Sequence, residues 1–456
     1  MSRDLTYLDG VIAGEIWSSS TISDNLHALC DTIGERWCGT PSEHEAGEWI
    51  RDRMTDFGLK QVGMQGFTHT GWDPISASIE IEIVDGRVIQ LPCIPLLGSP
   101  NEDVRAELLD LVDGIPSHYN VERENVNGKV VLINTDCHPP FFDRNYLSLT
   151  LDEKYREAAA CGARALVFAG SKQMGGVLPI LYAWRLQAHP IPYISVSYEA
   201  GEFIRRCLLS NEGEIVAHVR TNARVQPVES FNVMGCLDGT LGNEILVNAH
   251  YDGVYGSPAA MDNASGICVM LEVARVLAKY GLQEARRDVR FISFAAEEKN
   301  LLGSRHFVDT ADDVLDRATL VFTLDTLSAG RMKGFRMTSE TSPAAAEALN
   351  EILRLSKMPY ACYVSPMDRL DDSGDGYPFA TRGIPTISLW RWRYASSRPE
   401  HQFVHTAWDS VDKINVRDLQ EYAYELCRFL IRLQAAPPQL ERQLREPLTG
   451  SSGTTQ

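Results

Sequence analysis

Residues 244–253 read Glu244-Ile245-Leu246-Val247-Asn248-Ala249-His250-Tyr251-Asp252-Gly253. A short apolar run of this kind is the pattern of a buried strand, and this one ends on an imidazole with a carboxylate two residues on. The arrangement recurs downstream. Val289 to Ala296 is a second apolar run that delivers Glu297 and Glu298, and Leu320-Val321-Phe322-Thr323-Leu324 delivers Asp325. Open α/β sheets place their sites at the carboxyl ends of strands, so the expected fold class is α/β: a mixed, mostly parallel central sheet flanked by helices. After Met261-Asp262-Asn263-Ala264-Ser265-Gly266, the residues Ile267, Cys268, Leu271, Ala274 and Leu277 form a helical stripe that packs on the sheet. A last helix carries Leu419, Tyr422, Ala423, Leu426, Cys427 and Leu430 at the same spacing, with Asn415 as its cap.

His250, Asp262, Glu298, Asp325 and His405 are the candidate metal ligands. Imidazole and carboxylate are what zinc accepts when no thiolate is offered. Two ions need more ligands than one, and a single carboxylate with two oxygens can bridge them. A water shared by two such ions loses a proton near neutral pH while the ions polarise a substrate carbonyl. A carboxylate that binds no metal must take up and return that proton, so adjacent glutamates suit one ligand and one general base. A lone His-x-Asp or Glu-Glu pair is more often surface or cap chemistry. Their ordered recurrence with the Asp-Asn-Ala-Ser-Gly turn and a late His405-Thr406-Ala407-Trp408-Asp409 points to a metal centre.

These segments resemble the di-zinc metallopeptidase family that contains secreted-type aminopeptidases and glutamate carboxypeptidases. The resemblance implies the zinc exopeptidase fold and two zinc ions. His250 and Asp325 would bind one, Glu298 and His405 the other, and Asp262 would bridge them. Asp252 would orient the His250 ring, and Glu297 would be the general base. The family also places a cis peptide after the bridging aspartate, here Asp262-Asn263. Asp31-Thr32-Ile33-Gly34-Glu35-Arg36 followed by Gly39-Thr40-Pro41 resembles the family's N-terminal turn. Two departures stand out. Asn300 occupies a position where glycine is usual, which a left-handed backbone tolerates. Val404 stands where carboxypeptidase members often carry tyrosine, which leaves the oxyanion donor open, with Tyr377 as a candidate.

The substrate is expected to be a peptide or small amide. A carboxypeptidase meets its substrate's carboxylate with arginine, often bidentately, and Arg391 and Arg393 lie in Trp390-Arg391-Trp392-Arg393-Tyr394, shortly before His405. Family frequency favours an aminopeptidase. A carboxypeptidase or acyl-amino-acid hydrolase reading a carboxylate through Arg391 and Arg393 is the alternative, and a glutaminyl-cyclase-like acyltransferase with one zinc is a further one.

At 456 residues the chain is too long for one ordinary domain. Its net charge of -18 argues against nucleic acid as a partner. Acidic residues interrupt every apolar run of the first fifteen residues, and no stretch approaches the length of a membrane span, so no membrane partner and a cytoplasmic location are expected. The ten cysteines show no Cys-x-x-Cys pair and read as reduced, mostly buried thiols. The expected division is a discontinuous catalytic domain over 1–100 and 226–436, a smaller α/β insertion over 101–225 that resembles a protease-associated domain, and a disordered tail over 437–456. Within the first part, Ser42 with Glu45 reads as a capping box, Gly58 as a helix stop, and Asp85-Gly86 as the turn of a hairpin over 76–92.

Overall fold

The computed structural model describes residues 5–135, 151–170, 190–210, 214–281, 286–328, 330–337, 343–364, 374–391 and 403–434. Its strands, in chain order, begin with β1 (Lys60–Glu82), β2 (Val88–Leu91), β3 (Cys93–Pro95), β4 (Glu102–Asp110), β5 (Val130–Asn134), β6 (Ala165–Ala169) and β7 (Tyr193–Val196). They continue with β8 (Val216–Leu237), β9 (Glu244–His250), β10 (Asp288–Phe294), β11 (Ala318–Thr323), β12 (Met332–Met337), β13 (Cys362–Val364) and β14 (Thr386–Arg391).

One part of the sheet runs β13-β12-β14-β11-β9-β10-β8. β9 lies parallel between β10 and β11, with His250 opposite Phe294 and Asn248 opposite both Ile292 and Thr323. All seven residues of β9 are buried, as a central strand of a parallel sheet covered on both faces requires. The sheet is mixed: β10 meets β8, and β12 meets β14, in antiparallel fashion.

β8 continues from this part into a second one. Its far half pairs with β4, and β5, β6 and β7 follow in parallel order. A separate core forms there from Val104, Val130, Val167, Ile194 and Val219, and it also takes in Ile79, Ile81 and Ile83 of the β1 end. β1 lies antiparallel along β8 for most of its length, and β2 folds back on it with Ile81 opposite Ile89. The Asp85-Gly86 turn is present, with Gly86 at φ 81°. The hairpin's first strand is far longer than alternation alone suggested, because β8 supplies a partner along it.

The helix Ser265–Val276 is buried on every side except at Arg275, which pairs with Glu15 and Glu272. A stripe was expected; enclosure arises because the helices Leu5–Ser18 and Val416–Gln434 cover the face turned away from β9. Asn415 caps the latter helix through Oδ1, which accepts from Arg417 N. The helix Pro41–Asp56 corrects one expectation. Its cap is Thr40, whose Oγ1 accepts from Glu43 N, while Glu43 Oε2 accepts from Gly39 N. Pro41 sets the first helical position, so the reciprocal pair is Thr40 with Glu43 and not Ser42 with Glu45. The helix ends before Gly58, which takes φ 79° as a stop should. Among the described residues nine cysteines, most of them buried, are unpaired. No described helix is long and apolar enough to cross a membrane. The expected tail lies outside the described residues.

Candidate metal centre

His250 ends β9, and its Nε2 lies 3.2 Å from Asp262 Oδ1 and 3.6 Å from Asp325 Oδ1. On the other side of Asp262, Oδ2 lies 3.0 Å from His405 Nε2, which is itself 3.4 Å from Glu298 Oε2. Two triads able to hold an ion result: His250 with Asp262 and Asp325, and Asp262 with Glu298 and His405. Asp262 belongs to both. All five residues proposed from the sequence as ligands are therefore gathered, in the expected pairing.

Neighbouring groups hold them. Asp252 is fully buried, and its carboxylate accepts hydrogen bonds from Glu297 N at 3.0 Å and Glu298 N at 3.1 Å. His250 Nδ1 lies 3.5 Å from Asp252 Oδ1 and 3.2 Å from its carbonyl oxygen. Asp252 thus lies beside the ring and ties down the turn that presents both glutamates. Three further supports were not assigned from sequence. Asp409 takes hydrogen bonds from Met261 N and Asp262 N at 2.8 and 3.1 Å. The Asn263 side chain donates to Leu324 O and accepts from Gly266 N and Thr326 N, tying the cis Asp262-Asn263 bond to the end of β11. Arg36 is buried without a carboxylate and donates to the carbonyls of Leu29, Gly34, Tyr251, Pro258 and Ala259, clamping the loop between His250 and Asp262. The Asp409 and Arg36 signals lay in segments quoted above, but only the fold shows which backbone each one meets. Asn300 adopts φ 69°, the left-handed conformation its place in the turn requires.

The electrostatics are those of a cation site. Burial pushes the Glu297 carboxyl well up, and nearby Glu298 and Asp375 add to this against His250. Burial raises Glu298 to about 7. Burial opposes the charged form of both imidazoles, yet the surrounding carboxylates outweigh it and raise both well above the usual range. Asp262, despite its burial, is held far below the ordinary carboxylate range by its contacts with His250 and His405. No lysine or arginine pairs with Asp262, Glu297 or Glu298 among the described residues. His250 Nε2 and Glu298 Oε1 are buried and make no hydrogen bond. Unpartnered nitrogen and oxygen donors facing one another suit two borderline divalent ions such as zinc.

Other candidates fare differently. Tyr377 is half-buried, and its described contact is the Arg305 guanidinium 5.4 Å from its ring centroid, not the metal cluster. Arg391 closes β14, but its side chain, like all of Arg393, lies outside the described residues.

A sheet carrying buried His and carboxylate donors at its strand ends, beside a carboxylate free to act as base, defines a metallohydrolase. The Peptidase family M28 model matches residues 232–430, and the PA domain model matches residues 104–204. The probable lipoprotein aminopeptidase LpqL of Mycobacterium tuberculosis (strain ATCC 25618 / H37Rv) is 30% identical over 84% of this chain and 77% of its own length. Aminopeptidase YwaD of Bacillus subtilis (strain 168) is 28% identical over 88% and 81%, and carboxypeptidase Q of Bos taurus is 23% identical over 85% and 80%. The solved structure of BSAP, a zinc aminopeptidase from Bacillus subtilis, shares the fold at a TM-score of 0.70 and 24% identity, covering 90% of this chain and 93% of that one. The chain belongs to peptidase family M28 and carries an inserted PA domain; it is a metallopeptidase.

Proposed function

We propose that the protein is a di-zinc aminopeptidase, with His250 and Asp325 on one ion, Glu298 and His405 on the other, and Asp262 between them. The observation that carries this reading is the membership of Asp262 in both triads. The names of the YwaD and LpqL relatives support the aminopeptidase assignment. Two zinc ions bound there supply an acidified water and polarise the scissile carbonyl.

The chain's own groups do the rest. Glu297 Oε2 lies 4.0 Å from His250 Nε2, next to where the ions and their water would be held. It takes the water's proton and returns it to the leaving amine. Asp252 holds Glu297 and Glu298 at fixed spacing through their backbone N–H groups. Asp409 does the same for Asp262.

Carboxypeptidase Q among the relatives favours a second reading, in which the substrate's C-terminal carboxylate is read instead. Aminoacyl anilides compared with N-acylated amino acids, with and without added zinc, test both. Zinc-dependent cleavage of anilides with free amines is expected, with N-acylated substrates untouched. Cleavage of only the N-acylated acids would install the second reading, and one zinc per chain with cyclisation of N-terminal glutamine would install an acyltransferase.

A further inference from the structure

The residue after the two glutamates is a lysine that the reaction described above leaves unused. Lys299 is only 4% exposed, and among the described residues no carboxylate pairs with it. A buried ammonium donates and cannot accept, so it needs an acceptor there. It meets one in His69 Nδ1 on β1, 3.3 Å from Lys299 Nζ. From that ring a line of hydrogen bonds runs away from the metal centre. His69 Nε2 lies 3.0 Å from Ser230 Oγ on β8, which lies 2.7 Å from Glu43 Oε2 on the helix Pro41–Asp56. Gly39 N donates to the same carboxylate oxygen at 2.7 Å, and both Ser230 and Glu43 are fully buried.

The chemistry of the lysine sets the direction of this line. Because Lys299 can only donate, Nδ1 of the ring must accept, and the ring proton then sits on Nε2. Nε2–H donates to Ser230, whose one hydroxyl proton goes to Glu43. The carbonyl oxygen of Thr70 also lies 3.3 Å from Nδ1, but it would be a partner only if that nitrogen carried the proton and so pointed an N–H at the lysine. The turn at the head of the line needs holding. Ala296, Asn300 and Leu301 flank the turn Glu297–Lys299, and all three take left-handed φ, at 53°, 69° and 58°. Backbone of this kind outside glycine persists only where its surroundings over-determine it. Asp252 supplies one restraint, through Glu297 N and Glu298 N. Lys299 is the next residue along.

We propose that Lys299 is a positioning residue for Glu297 and Glu298, anchored through His69 and Ser230 to Glu43. Three elements that carry no ligand, β1, β8 and the helix Pro41–Asp56, thereby hold the end of the turn that Asp252 does not reach. The role of Glu297 itself rests on the hydrolase reading above.

The test uses zinc-loaded full-length protein. Lys299→Met keeps the reach of the side chain but removes the donor, and His69→Leu removes its acceptor. Each should lower kcat by about tenfold, part of what a fully misplaced catalytic group costs, with KM and zinc content at wild-type values. The double variant should be no slower than either single one, since both break the same link. His69→Asn, which keeps an acceptor where Nδ1 stood, should recover most of kcat, and His69→Gln, which replaces Nε2 instead, should not. Nitrogen NMR of isotopically labelled histidine should show the His69 ring neutral with its proton on Nε2, and Lys299→Met should shift that signal. Wild-type kcat in either single variant, additive losses, a loss that tracks lost zinc, or a ring protonated on Nδ1 would each overturn the proposal. Should Lys299→Met not fold, His69→Leu and His69→Asn with equal kcat overturn it instead. A wild-type protein inert toward every substrate would sink the hydrolase reading, and the His69 tautomer with its response to Lys299→Met would then decide the anchoring alone.

Discussion

The two ends of β9, β10 and β11 solve the same electrostatic problem in opposite ways. At the amino end Glu244 is fully buried, and Arg290 Nε meets it at 2.8 Å while Arg317 Nη2 meets it at 2.7 Å. The positive charge is built into the chain, in the bidentate form guanidinium allows. At the carboxyl end Asp262, Glu297 and Glu298 are gathered as closely, but among the described residues only two imidazoles pair with them. The sheet is common to both ends, so the difference lies in who supplies the cation. One end is complete by itself, and the other is complete only with a bound ion.

Substitutions at the two ends should therefore separate activity from stability. Glu297→Gln cannot accept a proton, so kcat should fall by about a hundredfold or more while two zinc ions stay bound. Glu298→Gln should instead lose one ion, read by elemental analysis. If Glu297→Gln were the variant that lost zinc, the two roles would be reversed.

At the amino end Glu244→Gln leaves buried guanidinium without its counter-charge and should destabilise the fold by about 3 kcal/mol. Urea unfolding would measure it. Zinc content and kcat should not change, and a drop in either would erase the distinction between the ends.

Glu43 sharpens the comparison, because it lies behind the carboxyl end and forms no ion pair among the described residues. Burial first, and the Asp252 charge second, push it up to about 8 from an ordinary 4.5. The folded protein then keeps a proton that the unfolded chain has lost, so this group's contribution to stability declines as pH rises from 4.5 toward 8. Glu43→Gln has no proton to lose. Its Tm relative to wild type should be more favourable at about pH 9 than at about pH 5, and a pH-independent difference would show that Glu43 is ionised throughout.

The smallest effect is expected from Asn415→Ala, which removes only the cap bond to Arg417 N. About 1 kcal/mol of stability should be lost, with kcat and zinc content intact.

The ligand set was legible in the sequence because each ligand follows its own apolar strand or lies in its own short motif, so local pattern locates it. The supports were less legible. Glu43, Asp409 and Arg36 act through residues far away in the chain, and no local spacing says which backbone or side chain they meet. The Thr40 cap was missed for a local reason, since Pro41 moves the helix start ahead of Ser42. β1 was read as the arm of a short hairpin because its alternation is clear only near residue 80, whereas pairing with β8 extends it to Lys60. The contribution of Arg391 and Arg393 rests on side chains outside the described residues.

Arg36 and His405 come from opposite ends of the sequence, and both are needed where β9 finishes. During synthesis the loop that Arg36 clamps can take shape long before His405 and Asp409 have left the ribosome. Until they do, one triad lacks its imidazole and Asp262 lacks the carboxylate that fixes its backbone. A nascent or prematurely terminated chain that stops short of His405 is therefore expected to carry no proteolytic capacity.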